Sequence, residues 1–259
     1  MEVIITGHDQ IGELVADDIA ALVARKPNAV LGLATGSSPL RIYDAVAQRV
    51  ASGELSLSRA RAFTLDEYVG LDQDHPCGYR TVIEEDFISR VDLPTESVHG
   101  PDGSAADLDA ACASYEEAIR LAGGVDLQIL GIGTDGHIAF NEPGSSFASR
   151  TRVKTLTVQT RRDNARFFGN NLDSVPTHCL TQGLGTIMDA RHVVLVATGS
   201  GKAEAVQHLV EGAVSALWPG SILQHHPHVT VFLDDAAAAN LQLSEYYRYT
   251  YANKHLVNR

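Results

Sequence analysis

The stretch VDLQILGIGTDGHIAFNEPGSSFASR, residues 125–150, decides how this chain is read. Its first six residues form a short, mostly apolar run, the signature of a buried strand. Asp135, His137 and Glu142 follow within eight residues, with Asn141 beside the last. Titratable side chains crowded together add little stability, but the carboxyl ends of strands are where an open α/β sheet holds its ligand. The stretch therefore predicts a proton-handling cluster past the end of a strand. The alternative is a surface loop whose side chains satisfy one another.

Outward from this stretch, strands and helices alternate. Residues 3–6 read as a strand, and 9–25 as a helix with Ile11, Leu14, Val15, Ile19, Leu22 and Val23 at helical spacing. Residues 30–34 read as a strand, 39–51 as a helix, and 62–65 as a short strand entering the polar loop 66–79. Helices are expected over 79–89 and 107–121, the second ended by Gly123-Gly124. Residues 151–158 alternate as a strand does, with Arg152 and Lys154 on one face. Short helices over 165–171 and 181–189, a strand over 193–197 and a helix over 202–211 follow. A last strand over 229–233 and a C-terminal helix over 236–253 close the chain. This alternation predicts an α/β fold, a single Rossmann-like layered domain over residues 1–259 with a mostly parallel sheet flanked by helices. Residues 144–185 are the least regular and are expected to form a mobile cap.

Bulk properties bound the function. The 259 residues carry a formal net charge of −12, which disfavours nucleic acid as a partner. No run approaches the ~20 apolar residues of a membrane span. The N-terminus MEVIITGHDQIGELV lacks a signal peptide's pattern, and Cys77, Cys112 and Cys179 are three, odd and far apart. Both features predict a cytoplasmic protein with reduced thiols. Against the acidic background, Arg150, Arg152, Lys154, Arg161, Arg162 and Arg166 are opposed locally only by Asp163. Such a local excess suits a small anionic ligand, although a charge run is commonly a solvated face.

Two nucleotide motifs fail. Gly131-x-Gly133-x-x-Gly136 matches the dinucleotide fingerprint, but Asn141-Glu142-Pro143-Gly144 interrupts the helix that should follow, and residues 143–162 contain no acid to hold a ribose. The glycines read instead as room for tight backbone around Asp135. Thr198-Gly-Ser-Gly-Lys202 lacks a P-loop's first glycine, since Val196 stands there, and has Ala203 where Ser or Thr must contact magnesium. What remains is a glycine-rich turn with Lys202 at the start of a helix, suited to an anion. Thr35-Gly36-Ser37-Ser38-Pro39 is the stronger anion candidate, with Ser38 expected to cap the helix and Pro39 to open it. No lysine follows it, so a monophosphate suits it better than a triphosphate. Asp66 and Glu67 lie at the end of a strand, a good position for a general base and equally for a solvated or capping acid. The histidines of His225-His226-Pro227-His228 lack metal-site spacing and read as a loop.

Taken together, LGLATGSSPL (31–40), FTLDEYVGL (63–71), GIGTDGHIAFNEPGSSFASRTRVKTLT (131–157), ARFF (165–168) and ATGSGKA (197–203) resemble the glucosamine-6-phosphate deaminase family. The resemblance implies conversion of glucosamine 6-phosphate and water to fructose 6-phosphate and ammonium, in amino-sugar catabolism, with no metal or organic cofactor. It implies Asp66 as the base that moves a proton between C2 and C1, and His137 as the ring-opening group. Asp135 and Glu142 would orient the imidazole, while Thr35, Gly36, Ser37, Ser38, Arg166 and Lys202 would hold the phosphate. It further implies an effector site for N-acetylglucosamine 6-phosphate at Ser145, Arg152, Lys154 and Thr155. In enterobacterial members this site lies at a hexamer interface and takes a tyrosine from near the C-terminus, for which Tyr247 is the candidate here. The C-terminus departs from that pattern and is short, as in monomeric members, so monomer and homo-oligomer both stand. A 6-phosphogluconolactonase, with a similar fold but no need of a C2 base, and a deaminase of another amino-sugar phosphate are the competing enzymes. A sugar-phosphate sensor is the non-enzymatic one.

Overall fold

The computed structural model describes residues 1–72 and 74–254. In chain order the strands are β1 (Glu2–Ile5), β2 (Val30–Leu33), β3 (Arg61–Thr64), β4 (Asp66–Tyr68), β5 (Val98–His99), β6 (Leu127–Leu130), β7 (Arg152–Thr155), β8 (His178–Thr181), β9 (His192–Ala197) and β10 (Val229–Leu233). The α-helices are α1 (His8–Arg25), α2 (Leu40–Ala51), α3 (Tyr79–Asp86), α4 (Leu108–Leu121), α5 (Val158–Asn164), α6 (Leu184–Met188), α7 (Ala203–Val210) and α8 (Ser244–Asn253). Seven strands form one parallel sheet in the order β1-β10-β9-β6-β2-β3-β5. β2, β6 and β10 are buried at every position, as sheet strands covered on both faces must be. α1 sends Ile11, Val15, Ile19 and Val23 into the core at four-residue spacing, each stabilising by roughly 1.5–3 kcal/mol.

The winding order fixes where a ligand belongs. From β2 the chain steps outward to β3 and β5, then returns to place β6 on the other side of β2 and continues to β9 and β10. The direction reverses between β2 and β6, and ligands bind at the carboxyl ends of strands at such a reversal. The segments leaving those two strands are residues 34–39 and 131–142. A second sheet, antiparallel in the order β4-β8-β7, stands beside this end. It shares a small core of Tyr68, Phe140, Leu156, Ala165, Val175 and Cys179.

Several sequence expectations need correction here. Residues 66–68 were expected in a loop and form β4, while residues 181–189, expected as helix, begin at the end of β8. Each strand finds its partner far away in the chain, which local pattern does not show. The strand expected over 151–158 ends at Thr155, because the Thr157 hydroxyl accepts from Thr160 N at 3.1 Å and starts α5. Ser38 makes no capping bond: Pro39 occupies the cap position before α2, whose first turn is free of side-chain capping. α8 begins at Ser244, not near residue 236, since Asp234 accepts from Ala237 N at 2.7 Å and holds a turn there. Residues 144–185, expected as the least regular segment, carry β7, α5, β8, the start of α6 and 3-10 helices at Ala165–Phe168 and Leu172–Ser174.

Candidate active site

The loop leaving β6 is shaped by its three motif glycines, none of which serves a nucleotide. A side chain on Gly131 would press on Ser38 Oγ at 3.2 Å, so the loop lies against the turn that leaves β2. A Cβ on Gly133 would lie 2.3–2.5 Å from three atoms of the His137 ring. Gly136 has φ +80°, and a Cβ there would meet Trp218 at 2.6 Å. The loop then turns back through Ala139, a non-glycine residue at φ +51°. Such a conformation costs about 1–3 kcal/mol and persists where the surroundings enforce it. Here Asn141, wholly buried, enforces it by donating from Nδ2 to Ile138 O at 3.0 Å and to Gln182 O at 2.8 Å. Phe140 N adds a bond to Thr181 Oγ1 at 3.1 Å. The result returns Glu142 to His137.

His137 Nδ1 lies 2.6 Å from Asp135 Oδ1 and 3.6 Å from Glu142 Oε2. The first contact is short but off the N–H axis, and the second is long, so Nδ1 and the buried Glu142 Oε2 both lack a directed hydrogen bond. The other Glu142 oxygen is held: Thr160 Oγ1 donates to Oε1 at 2.5 Å. Burial pushes the Asp135 carboxyl up, but the imidazole of His137 close beside it and the His137 backbone N–H, which donates to Oδ1 at 3.2 Å, outweigh this and hold the group well below its ordinary range. Asp135 is therefore an anion beside the imidazole at neutral pH. The donor atoms of Asp135, His137 and Glu142 lie within 4.8 Å of one another, a spacing that could hold a metal ion as well as pass a proton.

Asp66 and Glu67, indistinguishable in sequence, separate in the structure. Glu67 accepts from Tyr79 N (2.9 Å) and Arg80 N (2.9 Å) and so caps α3 from a distance. Asp66 is buried, and among the described residues its carboxylate makes no side-chain hydrogen bond or ion pair. Burial, with the Glu67 charge adding to it, raises its pKa well above the usual carboxylate range. Its backbone pairs with Thr181, whose hydroxyl accepts from Phe140 N, which ties Asp66 to the loop carrying His137.

The anion-binding candidates are carried by three elements. The Thr35–Gly36–Ser37–Ser38 turn follows β2, Gly36 at φ +93°, and among the described residues the three hydroxyls have no side-chain or backbone partner. Tyr43 of α2 fixes the turn's entry, donating from its hydroxyl to Ala34 O at 2.7 Å and accepting from Ala34 N at 3.2 Å. Lys202 lies at the start of α7, beyond Gly199, whose N–H donates to the Asp234 carboxylate at 2.9–3.0 Å. Burial lowers the Lys202 pKa, and the charges of Asp163, Arg166 and Asp135 all act on it. Lys202 is thus within electrostatic reach of Arg166 and of the Asp135 loop. Arg166 is exposed, its guanidinium 4.7 Å from the Phe167 ring centre.

The basic strand is less uniform than the sequence suggests. Arg150 is engaged by Glu116 (2.7 Å) and Asp189 (2.6 Å), and Arg161 donates to the carbonyls of Leu172 and Val175. Arg152 and Lys154 alternate on β7 and make no ion pair among the described residues, with Thr155 exposed at its end. Ser145 is buried and donates to Glu142 O at 2.7 Å. Tyr247 donates to Glu211 Oε1 at 3.2 Å. Two of the three histidines at 225–228 take structural roles: His226 donates to Ala190 O at 2.7 Å, and His228 stacks on His192 at 3.7 Å, at the sheet's opposite end. The sequence reading missed Thr160, Tyr43 and Thr181. Thr157-x-x-Thr160 is a capping spacing that could have revealed the first; nothing local marks the other two.

A parallel sheet with a carboxylate–imidazole–carboxylate cluster and a Thr/Gly/Ser turn at its reversal point is the arrangement of an α/β enzyme with its site at the strand ends, and the chain belongs to the glucosamine-6-phosphate isomerase/6-phosphogluconolactonase family, whose profile matches residues 7–232. Within it, the chain is 69% identical over 255 residues to a glucosamine-6-phosphate deaminase of Mycolicibacterium smegmatis, covering 98% of each. Among solved structures it is similar to a monomeric glucosamine-6-phosphate deaminase, at 41% identity and TM-score 0.90, covering 93% of this chain and 100% of that one. A 6-phosphogluconolactonase from Trypanosoma cruzi shares the fold at 20% identity and TM-score 0.75, over 93% of this chain and 97% of that one.

Proposed function

We propose that this chain converts glucosamine 6-phosphate and water to fructose 6-phosphate and ammonium. The observation that carries the reading is Asp66, a buried carboxylate with no side-chain partner and a raised pKa, at a strand end beside the ring-opening cluster. A group that must take a proton from carbon works best with its pKa shifted toward the working pH. The lactonase reaction has no such step.

The phosphate binds on the Thr35–Ser38 turn, whose free hydroxyls and backbone N–H groups meet it, with Lys202 and Arg166 supplying charge. This fixes the sugar's far end. His137 then moves the proton between O1 and O5 that opens the ring, and Asp135 and Glu142 stabilise the imidazolium formed in transit. In the open chain the C1 carbonyl acidifies the C2 proton. Asp66 removes that proton and returns it to C1, while a proton of the ammonium group passes to O1, leaving a protonated imine at C2. Water adds to the imine carbon, the C–N bond breaks, and ammonium leaves with the ketone formed at C2. No step calls on a metal or organic cofactor.

We further read the chain as a single-domain cytoplasmic enzyme of amino-sugar catabolism, with residues 144–185 as the cap over the sugar. Its three free cysteines and the absence of any membrane-length apolar helix among the described residues support this location. The monomeric neighbour supports a monomer, and the commitment of Ser145 and Tyr247 to internal bonds argues against activation by N-acetylglucosamine 6-phosphate at Ser145, Arg152, Lys154 and Thr155. Sizing together with velocity curves, with and without that effector, tests both points: a sigmoidal curve straightened by the effector contradicts them. The reaction itself is tested by offering glucosamine 6-phosphate and 6-phosphogluconolactone separately. Turnover of the lactone without ammonium from the amino sugar contradicts the deaminase reading.

A further inference from the structure

Glu142 is held by two different structures at once. Its Oε1 belongs to the cap, where Thr160 donates to it at 2.5 Å and the Thr160 hydroxyl in turn accepts from Thr157 at 2.9 Å. Its Oε2 faces His137 Nδ1 at 3.6 Å and is buried without a hydrogen bond. Glu142 is 3% exposed and Thr160 5%, so the bond between them is closed to water. Thr160 lies in α5, two helical turns of about 10 Å. The far end of α5 runs into the 3-10 helix carrying Arg166 and is anchored by Asn164, which donates to Tyr68 Oη at 2.9 Å. The Asp163 and Arg166 charges at that end act on Lys202.

We propose that Thr160 is a positioning residue that couples the phosphate-binding end of α5 to the Glu142–His137 pair. The inference rests on the proposed deaminase chemistry. Arg166 engages the phosphate at one end of a short rigid helix. The Thr160 hydroxyl at the other end sets where Glu142 Oε2 stands relative to the imidazole. The 3.6 Å separation is too long for a hydrogen bond, and a shift of well under 1 Å brings it within range. Ring opening is thereby favoured when a 6-phosphate is bound. Tyr68 is next but one to Asp66 on β4, so the same helix end also contacts the strand that carries the proposed base.

The test compares Thr160→Val, which keeps the shape and loses the donor, with Thr160→Ser, which keeps the donor. Thr160→Val is expected to lower kcat on glucosamine 6-phosphate about tenfold with KM changed less than twofold, and Thr160→Ser to restore kcat to within about twofold. Combined with Arg166→Ala, the Val substitution is expected to cost much less in kcat than it does alone, because the coupled element is already disconnected. Equal kcat in Thr160→Val and parent protein overturns the proposal, as does a strictly multiplicative double variant. A circular-dichroism melt of each variant separates misfolding from chemistry: a kcat loss not restored by Ser, accompanied by a lowered melting temperature, assigns Thr160 a structural role and also overturns it. Parent protein that releases no ammonium would instead refute the deaminase reading itself.

Discussion

Gly133→Ala is a sharp probe of the proposed ring-opening group, because it adds one methyl and changes no charge. Gly133 is not among the glycines at positive φ, so alanine meets no backbone strain there. What it meets is the imidazole: the methyl would lie 2.3 Å from His137 Cε1, 2.4 Å from Nδ1 and 2.5 Å from Nε2. Non-bonded carbons rest about 3.5–4.0 Å apart, so the ring must retreat by more than about 1 Å. Its position is set by contacts of 2.6 Å to Asp135 and 3.6 Å to Glu142, which a displacement of that size breaks. Misplacement of about 1 Å costs on the order of 10²-fold in rate, equivalent to about 2.7 kcal/mol. Overpacking should also lower stability by roughly 1–3 kcal/mol. Ammonium release under saturating substrate gives kcat, and a thermal melt gives the stability cost. An open-chain substrate analogue should recover much of the lost rate, since it bypasses ring opening. A variant within twofold of the parent, or one whose deficit is the same with the open-chain analogue, refutes this placement of His137.

Other substitutions test the remaining parts. Asp66→Asn is expected to abolish most turnover with substrate binding retained. It should also raise the melting temperature at pH 8: burial raises the folded-state pKa of Asp66, so its charging opposes folding as pH rises through that value, and the gain should fade at low pH where the parent acid is neutral. For the same reason the acidic limb of the parent's kcat profile should fall at a pH above the ordinary carboxylate range; a limb within it contradicts the assignment. Glu67→Ala should destabilise by about 1–2 kcal/mol in urea titration by uncapping α3, and an unchanged midpoint would show that the cap is not stabilising. Lys202→Ala should raise KM for the phosphosugar more than it lowers kcat, and an unchanged KM removes Lys202 from the phosphate site.

The parallel sheet was legible because its strands are short apolar runs separated by amphipathic helices; β10 was read with its observed bounds, and β2, β6 and β9 within two residues at either end. The Asp135, His137 and Glu142 cluster was legible for a related reason, since all three side chains come from one loop. The second sheet was not, because β4 and β8 are defined by antiparallel partners more than 100 residues apart. Glu67 and Asp66 share one sequence context, and only the approach of the α3 N-terminus decides that one is a cap and the other is free. Thr160 lay just beyond a segment read as a strand, and its meaning depends on Glu142 arriving from 18 residues earlier. Arg150 and Arg161 looked like ligands for an anion until their protein partners, Glu116, Asp189 and two carbonyls, were in place.

Release of ammonium from an amino-sugar phosphate is expected to run through a proton transfer by Asp66. Its direct test is to measure ammonium and fructose 6-phosphate formed from glucosamine 6-phosphate by the parent protein and by Asp66→Asn. Equal molar amounts of both products are expected from the parent, and a loss of both in the variant. Ammonium released without the ketose, or at an undiminished rate from Asp66→Asn, would contradict it.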